Sequence, residues 1–267
     1  MQQLFLSTTE GLTEAIMGLN FLYAAWKKLV LTYLVSFICG LAAGSILLNW
    51  IHMPPGTLFE LSTKRLSYAM PVMEAGARAG IDGGILVFLW NCAGALMTIS
   101  FIYSAGLFNP LKIARRPKAL RRLFCNPTPM KLLCFLPGCL RIQSEAMRRL
   151  YVWLMMPLIG MMLLGAETGL SASTAKLIFG SFQAGILSLA PHGIIEIPVF
   201  ALAGAVAFSG HLLIRPRIPT NPIDRVFEDL VAHRNTLPVK KIALLVIGGL
   251  LIAAMIEAHL TPILMHR

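Results

Sequence analysis

The chain is organised around the segment Pro191-His192-Gly193-Ile194-Ile195-Glu196-Ile197-Pro198, which opens a long apolar run. The run over residues 193–214 is long enough to cross a bilayer, and Glu196 is the one acidic residue within it. A charge in a membrane helix is costly, so we expect Glu196 to be functional or paired. A second carboxylate, Glu257, lies in the last apolar run, within Ile256-Glu257-Ala258-His259-Leu260-Thr261-Pro262.

The composition places the whole chain in the membrane class. Of its 267 residues, 57% are hydrophobic and 13% are charged, whereas soluble domains carry about 25% charged residues. We therefore predict an all-α membrane protein, a bundle of about five transmembrane helices that forms one domain over residues 1–267. The predicted spans are residues 29–48, 84–108, 150–165, 193–214 and 242–260.

Three further segments are apolar or amphipathic without being clear spans. Residues 171–190 suggest a re-entrant segment or a buried half-helix. Residues 8–26 fit either an interfacial helix or a helical lead-in to the first span. Residues 222–233 predict an amphipathic interfacial helix, with Ile223, Val226, Phe227, Leu230 and Val231 on its apolar face.

The distribution of basic residues predicts the orientation. With five spans and a cytoplasmic amino terminus, segments 1–28, 109–149 and 215–241 lie inside and carry 18 of the 23 Lys and Arg residues. This bias follows the positive-inside rule, so we expect a multi-pass protein of the cell membrane with an external carboxyl terminus. The basic loop over 111–149 then serves topology and contact with anionic lipid.

Neither nucleic acid nor a metal is expected as a ligand. The basic loop has only Phe124 and Phe135 as aromatic residues, too few for a platform on which bases stack. Cys125, Cys134 and Cys139 lack the close-pair spacing of zinc sites. No cofactor is predicted.

Orientation brings the intramembrane polar groups to one depth. At 1.5 Å per residue, Glu196, Glu257 and Asn91 each lie roughly 5–10 Å below the outer boundary, on three different spans. His192 and His259 lie just above them. We therefore predict one polar cluster of these five residues, in which one or both carboxylates are protonated or paired with histidine.

The last span carries a small-residue face that ends at its carboxylate. Gly249, Ala253, Glu257 and Thr261 recur every four residues, a spacing that places them on one side of a helix. Small residues let helices approach closely, so this face is predicted to contact another helix rather than lipid.

The two glutamate segments resemble the hallmark sequences of the stage II sporulation protein M-like family. The resemblance extends over roughly residues 25–265, and Asn91 stands where family members often carry Asn-Asn, although its neighbour here is Cys92. It implies a multi-span protein of bacteria or archaea. The sporulation member of the family works with a peptidoglycan-degrading complex as a membrane anchor or scaffold. Within the two segments, a structural role is expected for Pro191, Gly193, Pro198, Thr261 and Pro262.

Three functions fit the sequence. The first is a non-enzymatic membrane scaffold for envelope-associated or other membrane proteins, with a homodimer left open. The second is a transporter or permease-like subunit that uses its membrane carboxylates. The third is an intramembrane enzyme with Glu196 and Glu257 as acid and base, or with a metal on His192, Glu196 and His259. No HExxH or GxSxG motif supports the third function.

Overall fold

Helices form every regular element in the part of the chain that the structure describes. The computed structural model describes residues 2–110, 118, 138–139, 142–178, 180–218, 221–261 and 263, with the side chains of all of these except 2–15, 66, 182, 184–189 and 192. The α-helices are α1 (Gln2–Asn49), α2 (Pro55–Thr63), α3 (Met70–Arg78), α4 (Gly83–Ser104), α5 (Glu145–Ile178), α6 (Phe182–Ile214), α7 (Ile223–Thr236) and α8 (Val239–Met255). Two 3₁₀ segments, Lys64–Tyr68 and Ala105–Phe108, and a π-helical turn, Ile256–Leu260, complete the described elements.

Five of these helices are long and apolar enough to cross a membrane, which confirms the predicted all-α membrane class. They cover Ile16–Asn49, Gly83–Phe108, Glu145–Ile178, Gly193–Ile214 and Val239–Leu260. The fourth, on α6, is the most enclosed, with 67% of its best window buried against 22% for the first two. The candidate span that carries Glu196 is therefore the most buried of the five.

Several helices extend beyond their predicted spans. Residues 8–26 continue into the first span as one helix, α1, so they form the helical lead-in rather than a separate interfacial helix. Residues 171–190 contain the adjoining ends of α5 and α6 instead of a separate half-helix. Between these helices, Gly180 adopts a φ of 77°, which glycine accepts without strain.

The contacts within the chain divide it into two compact units, and each long helix contributes to both. Unit 1 comprises Met1–Lys27, Met97–Pro157 and Gly204–Lys241, and unit 2 comprises Lys28–Leu96, Leu158–Ala203 and Ile242–Arg267. That the chain is one domain stays a prediction.

In unit 1, α7 has the amphipathic character predicted for residues 222–233. Val226, Phe227 and Leu230 are buried, while Ile223 and Val231 are half-buried. The apolar face packs on protein, because a Cβ on Gly210 of α6 would contact the Leu230 side chain at 2.8 Å. The helix thus docks on the protein through the predicted face.

In unit 2, α1 and α5 cross closely on facing glycines. A Cβ on Gly40 would overlap the Ala166 carbonyl, and one on Gly169 would overlap the Phe37 carbonyl. Both glycines belong to a small-residue pair spaced by four, Gly40 with Gly44 and Gly165 with Gly169. This is the close approach that small residues permit between membrane helices.

Candidate functional site

Glu196 lies well inside α6 rather than at its start. The helix begins at Phe182 and passes through both Pro191 and Pro198. Each proline lacks an N–H and so removes one hydrogen bond from the helix, which membrane helices tolerate when neighbours satisfy the freed carbonyl. The candidate span still covers Gly193–Ile214 as predicted, and the helix extends beyond it on the amino-terminal side.

The donor to Glu196 comes from another helix. The Asn91 Nδ2 of α4 donates a hydrogen bond to the Glu196 Oε1 of α6 at 2.7 Å, and both side chains are half-buried. Because water is scarce within a membrane, a polar group there gains most from a partner within the protein. The bond joins two of the three groups expected to converge.

Glu257 lies in the π-helical turn that follows α8. The turn ends at Thr261, whose backbone N–H bonds to the Ile256 carbonyl and whose Oγ1 donates to the same oxygen at 3.2 Å. The next residue in the sequence, Pro262, has no N–H to continue a regular helix. The charge of Glu257 acts on Glu196, which places the two carboxylates within electrostatic reach of each other.

The small-residue face of α8 contacts α6, as its spacing predicted. A Cβ on Gly249 would lie 2.6 Å from the Val199 Cγ2, and Ala253 and Thr261 are buried. The amino-terminal end of α4 is also close, since a Cβ on Gly84 would lie 3.0 Å from the Ala258 Cβ. Glu257 therefore extends from a turn that neighbours both helices of the Asn91–Glu196 pair.

The structure pairs His259 with Asp82, a residue that the predicted cluster did not include. Its Nε2 lies 3.6 Å from the Asp82 Oδ1, and the two side chains are 58% and 44% exposed. Asp82 also accepts hydrogen bonds from the backbone N–H groups of Gly84 and Ile85, and so caps the start of α4. His192 was also predicted to belong to the cluster, but its side chain lies outside the described ones.

Tyr33 is a polar neighbour of Glu196 that sequence reasoning missed. It is a buried residue of α1, and the charge of Glu196 acts on its hydroxyl. The Tyr33 hydroxyl is hydrogen-bonded to the side chain of Thr168 on α5, which donates to the Leu164 carbonyl at 2.7 Å. The available signal was the single tyrosine of the predicted first span, which follows Thr32 in an otherwise mostly apolar segment.

A second missed feature is the ion pair of Glu167. This carboxylate lies in α5, next to Thr168, and its Oε2 is 2.6 Å from the Arg65 Nε. Arg65 belongs to the 3₁₀ segment between α2 and α3. Glu167 lies two residues beyond the predicted span over residues 150–165, so the sequence did not mark it as an intramembrane charge.

These polar contacts join helices to one another. Hydrogen bonds or ion pairs link α1 to α5, α4 to α6, and α5 to the segment before α3. Among the described residues, no group of three or more His, Cys, Asp and Glu side chains could hold a metal ion.

Comparison with known proteins places the chain in a family. A family model described as stage II sporulation protein M matches residues 33–262. The matched range includes Asn91, Glu196 and Glu257 together with both glutamate segments. The chain matches no curated protein and no solved structure. Because the match extends over most of its length, the chain belongs to the stage II sporulation protein M family.

Proposed function

We propose that this protein is a non-enzymatic scaffold of the cell membrane that anchors envelope-associated proteins. The family membership and the membrane-helical fold support this proposal at a coarse level. The orientation that goes with it has the amino terminus in the cytoplasm and the carboxyl terminus outside.

The observation that carries the proposal is the hydrogen bond from Asn91 to Glu196. A carboxylate that binds and releases a cargo must exchange its partners during each cycle. Here one carboxylate oxygen accepts from an amide fixed on a neighbouring helix, at 2.7 Å. Such bonds between membrane helices contribute about 0.6 kcal/mol on average, enough for several of them to favour one arrangement of the bundle.

The other interhelical polar contacts support the same interpretation. Tyr33 with Thr168 and Arg65 with Glu167 join further elements of unit 2. A scaffold needs a bundle whose exposed surfaces keep a fixed geometry while partners bind. Polar groups that connect helices provide that rigidity.

The proposal is tested by photo-crosslinking in native membranes. A genetically encoded benzophenone amino acid replaces Glu74 or Glu228, both of which are exposed. We expect discrete adducts with envelope proteins, and the same adducts when Glu196→Gln is added, because glutamine can still accept from Asn91.

The competing transport function is tested in liposomes that contain the purified protein. Solute or ion flux that requires the wild-type protein and is lost in Glu196→Gln would contradict the scaffold proposal. The matched control is Glu228→Gln, which changes an exposed carboxylate outside the spans.

A further inference from the structure

The segment over residues 50–81 leaves many apolar side chains uncovered. It contains α2, a 3₁₀ segment and α3, and it lies between the first and second candidate spans. Among its described side chains, the exposed large apolar and aromatic ones are Trp50, Ile51, Leu61, Tyr68, Met70, Val72 and Ile81.

The position of this segment outside the spans does not by itself explain why its apolar side chains are exposed. Helix α7 is also outside the spans, and no large apolar side chain described over residues 222–238 is among the exposed ones. Its apolar face packs on the protein through Val226, Phe227 and Leu230. The contrast indicates that something other than this chain covers the 50–81 segment.

The chain itself fixes where this segment lies. The segment begins where the first span ends, at Asn49, and ends where the second span begins, at Gly83. Two consecutive spans meet at the same side of a membrane, so both ends of the segment lie at one membrane boundary. Each of α2 and α3 has nine residues, which extend about 14 Å against the roughly 30 Å of a bilayer core.

Three contacts hold the segment against the rest of unit 2. Leu58 of α2 is completely buried, and a Cβ on Gly76 of α3 would overlap the Leu86 side chain of α4. Arg65 pairs with Glu167 of α5. The segment that carries the exposed apolar side chains is therefore held in place on unit 2.

We propose that the 50–81 segment lies in the interfacial region of the bilayer, with its exposed apolar side chains inserted among phospholipids. The exposed surface is continuous in sequence with exposed apolar residues on the adjoining spans, Ile46 on α1 and Ile85 on α4. Trp50 and Tyr68 suit the headgroup level, because each ring joins an apolar body to a polar N–H or O–H group. Leu61 and Val72 reach the acyl boundary.

Charged side chains of the segment then occupy the aqueous side. Glu60, Lys64 and Glu74 are exposed and alternate with the apolar positions. Val72 and Glu74 are separated by about 200° around a helix, so they extend from nearly opposite faces. This arrangement matches an amphipathic element that lies flat in the interface rather than one that stands in water.

Nitroxide accessibility in phospholipid vesicles tests the proposal. A genetically encoded keto amino acid carrying a nitroxide replaces Leu61, Tyr68 or Val72, which leaves the native cysteines in place. We expect strong collision with oxygen, which concentrates in lipid, and several-fold weaker collision with a water-soluble nickel chelate than at Glu74. Ala232 on α7, which is exposed, provides a second aqueous reference.

Two results would overturn the proposal. If Leu61, Tyr68 and Val72 collide with the nickel chelate as often as Glu74, the segment lies in water. If they collide with neither reagent, as expected for the buried control Val226, protein covers the segment instead of lipid.

Discussion

At the scale of single residues, the stability of a carboxylate inside a bundle depends on its donors. Glu196 accepts one hydrogen bond, from the Asn91 amide. Tyr33 and Glu257 lie within electrostatic reach of its carboxylate. An amide donor is neutral, so it satisfies the carboxylate oxygen without adding a second charge to an apolar region. This arrangement avoids the desolvation cost of a fully charged pair.

Substitution of Glu196 separates its hydrogen-bonding role from its charge. Glu196→Gln keeps an acceptor for Asn91, so we expect the free energy of unfolding to change by less than about 1 kcal/mol. Glu196→Leu leaves the Asn91 amide without an acceptor and is expected to cost about 1–3 kcal/mol. Unfolding in mixed detergent micelles measures both changes.

The double variant Asn91→Leu/Glu196→Leu serves as the control for this comparison. Because it removes donor and acceptor together, it should cost less than the sum of the two single leucine variants. Additive losses would contradict a direct energetic role for the bond.

His233 on α7 gives unit 1 a dependence on pH. It is 7% exposed, and its Nε2 lies 2.9 Å from the Ser209 Oγ of α6. Burial, with a smaller effect of the Arg217 charge, lowers the pKa of His233 from 6.5 to about 4. Between these values the unfolded state binds a proton that the folded state excludes. Stability is therefore complete above about pH 6.5 and is lost as the pH falls towards 4.

The expected loss over that interval is about 3 kcal/mol, from 1.36 kcal/mol per pKa unit. This loss of stability can be measured as an increase in the protease sensitivity of α7 between pH 7.5 and pH 4.5. His233→Gln should remove most of the pH dependence, since glutamine does not titrate. An unchanged slope in His233→Gln would assign the pH dependence to other groups.

Only one aspect of the candidate site could be predicted from the sequence: the depth of each polar residue in the membrane, which follows from the direction of its span. Asn91 and Glu196 lie near the same boundary because their spans run from the same side, and a count of residues suffices. Tyr33 with Thr168 and Arg65 with Glu167 depend on the rotation of each helix about its axis. Packing sets that rotation, and apolar periodicity is weak in helices that are apolar all round.

At the scale of secondary structure elements, the turn that carries Glu257 is an example of local chemistry overriding a regular helix. Thr261 directs both its N–H and its hydroxyl to the Ile256 carbonyl. π-helical turns are rare and frequently occur at functional sites. The sequence signal was the Thr261-Pro262 pair, but proline alone does not distinguish a π turn from a helix end.

The contact of α1 with α5 should be sensitive to one added methyl group. Gly169→Ala places a Cβ against the Phe37 carbonyl, so we expect overpacking to cost about 1–3 kcal/mol. Gly160→Ala on the same helix has no neighbour within 4 Å and should be neutral or stabilising by up to about 1 kcal/mol. Thermal unfolding of the two variants in detergent compares them directly, and equal effects would contradict the close crossing.

Helix α7 shows what amphipathic spacing can and cannot predict. Its apolar positions follow the period of a helix, and the structure buries three of the five. The pattern does not specify what covers them, since a membrane surface and a protein core present the same apolar environment. Here α6 provides cover through Gly210, and Phe21 of α1 contacts His233 with 5.9 Å between ring centroids.

At the scale of the whole molecule, hydropathy predicted the five candidate spans found among the described residues, but not the lengths of their helices. Apolar composition marks the part of a helix that lipid can surround. Backbone hydrogen bonding continues past that part wherever no residue interrupts it. Helix α1 therefore extends from Gln2, and α5 continues to Ile178 through Glu167, which an ion pair with Arg65 stabilises.

Two features of the molecule favour opposite assignments for the basic loop. The asymmetry of 18 of 23 basic residues favours a cytoplasmic location for residues 109–149. Cys139 in that loop is completely buried and disulfide-bonded, and its partner cysteine lies outside the described residues. Structural disulfides are rare in the cytosol. Charge bias acts during insertion and involves ten residues of this loop, so we give it the greater weight.

Labelling of introduced cysteines in intact cells decides the orientation. Ser67→Cys, in the exposed 3₁₀ segment, should react with a membrane-impermeant maleimide from outside. Leu120→Cys should react only after the membrane is permeabilised, because the many basic side chains around it resist transfer across the membrane. The unsubstituted protein, with and without reductant, corrects for its five native cysteines. Labelling of Leu120→Cys but not Ser67→Cys in intact cells would reverse the topology, and it would place the disulfide of Cys139 in an oxidising compartment.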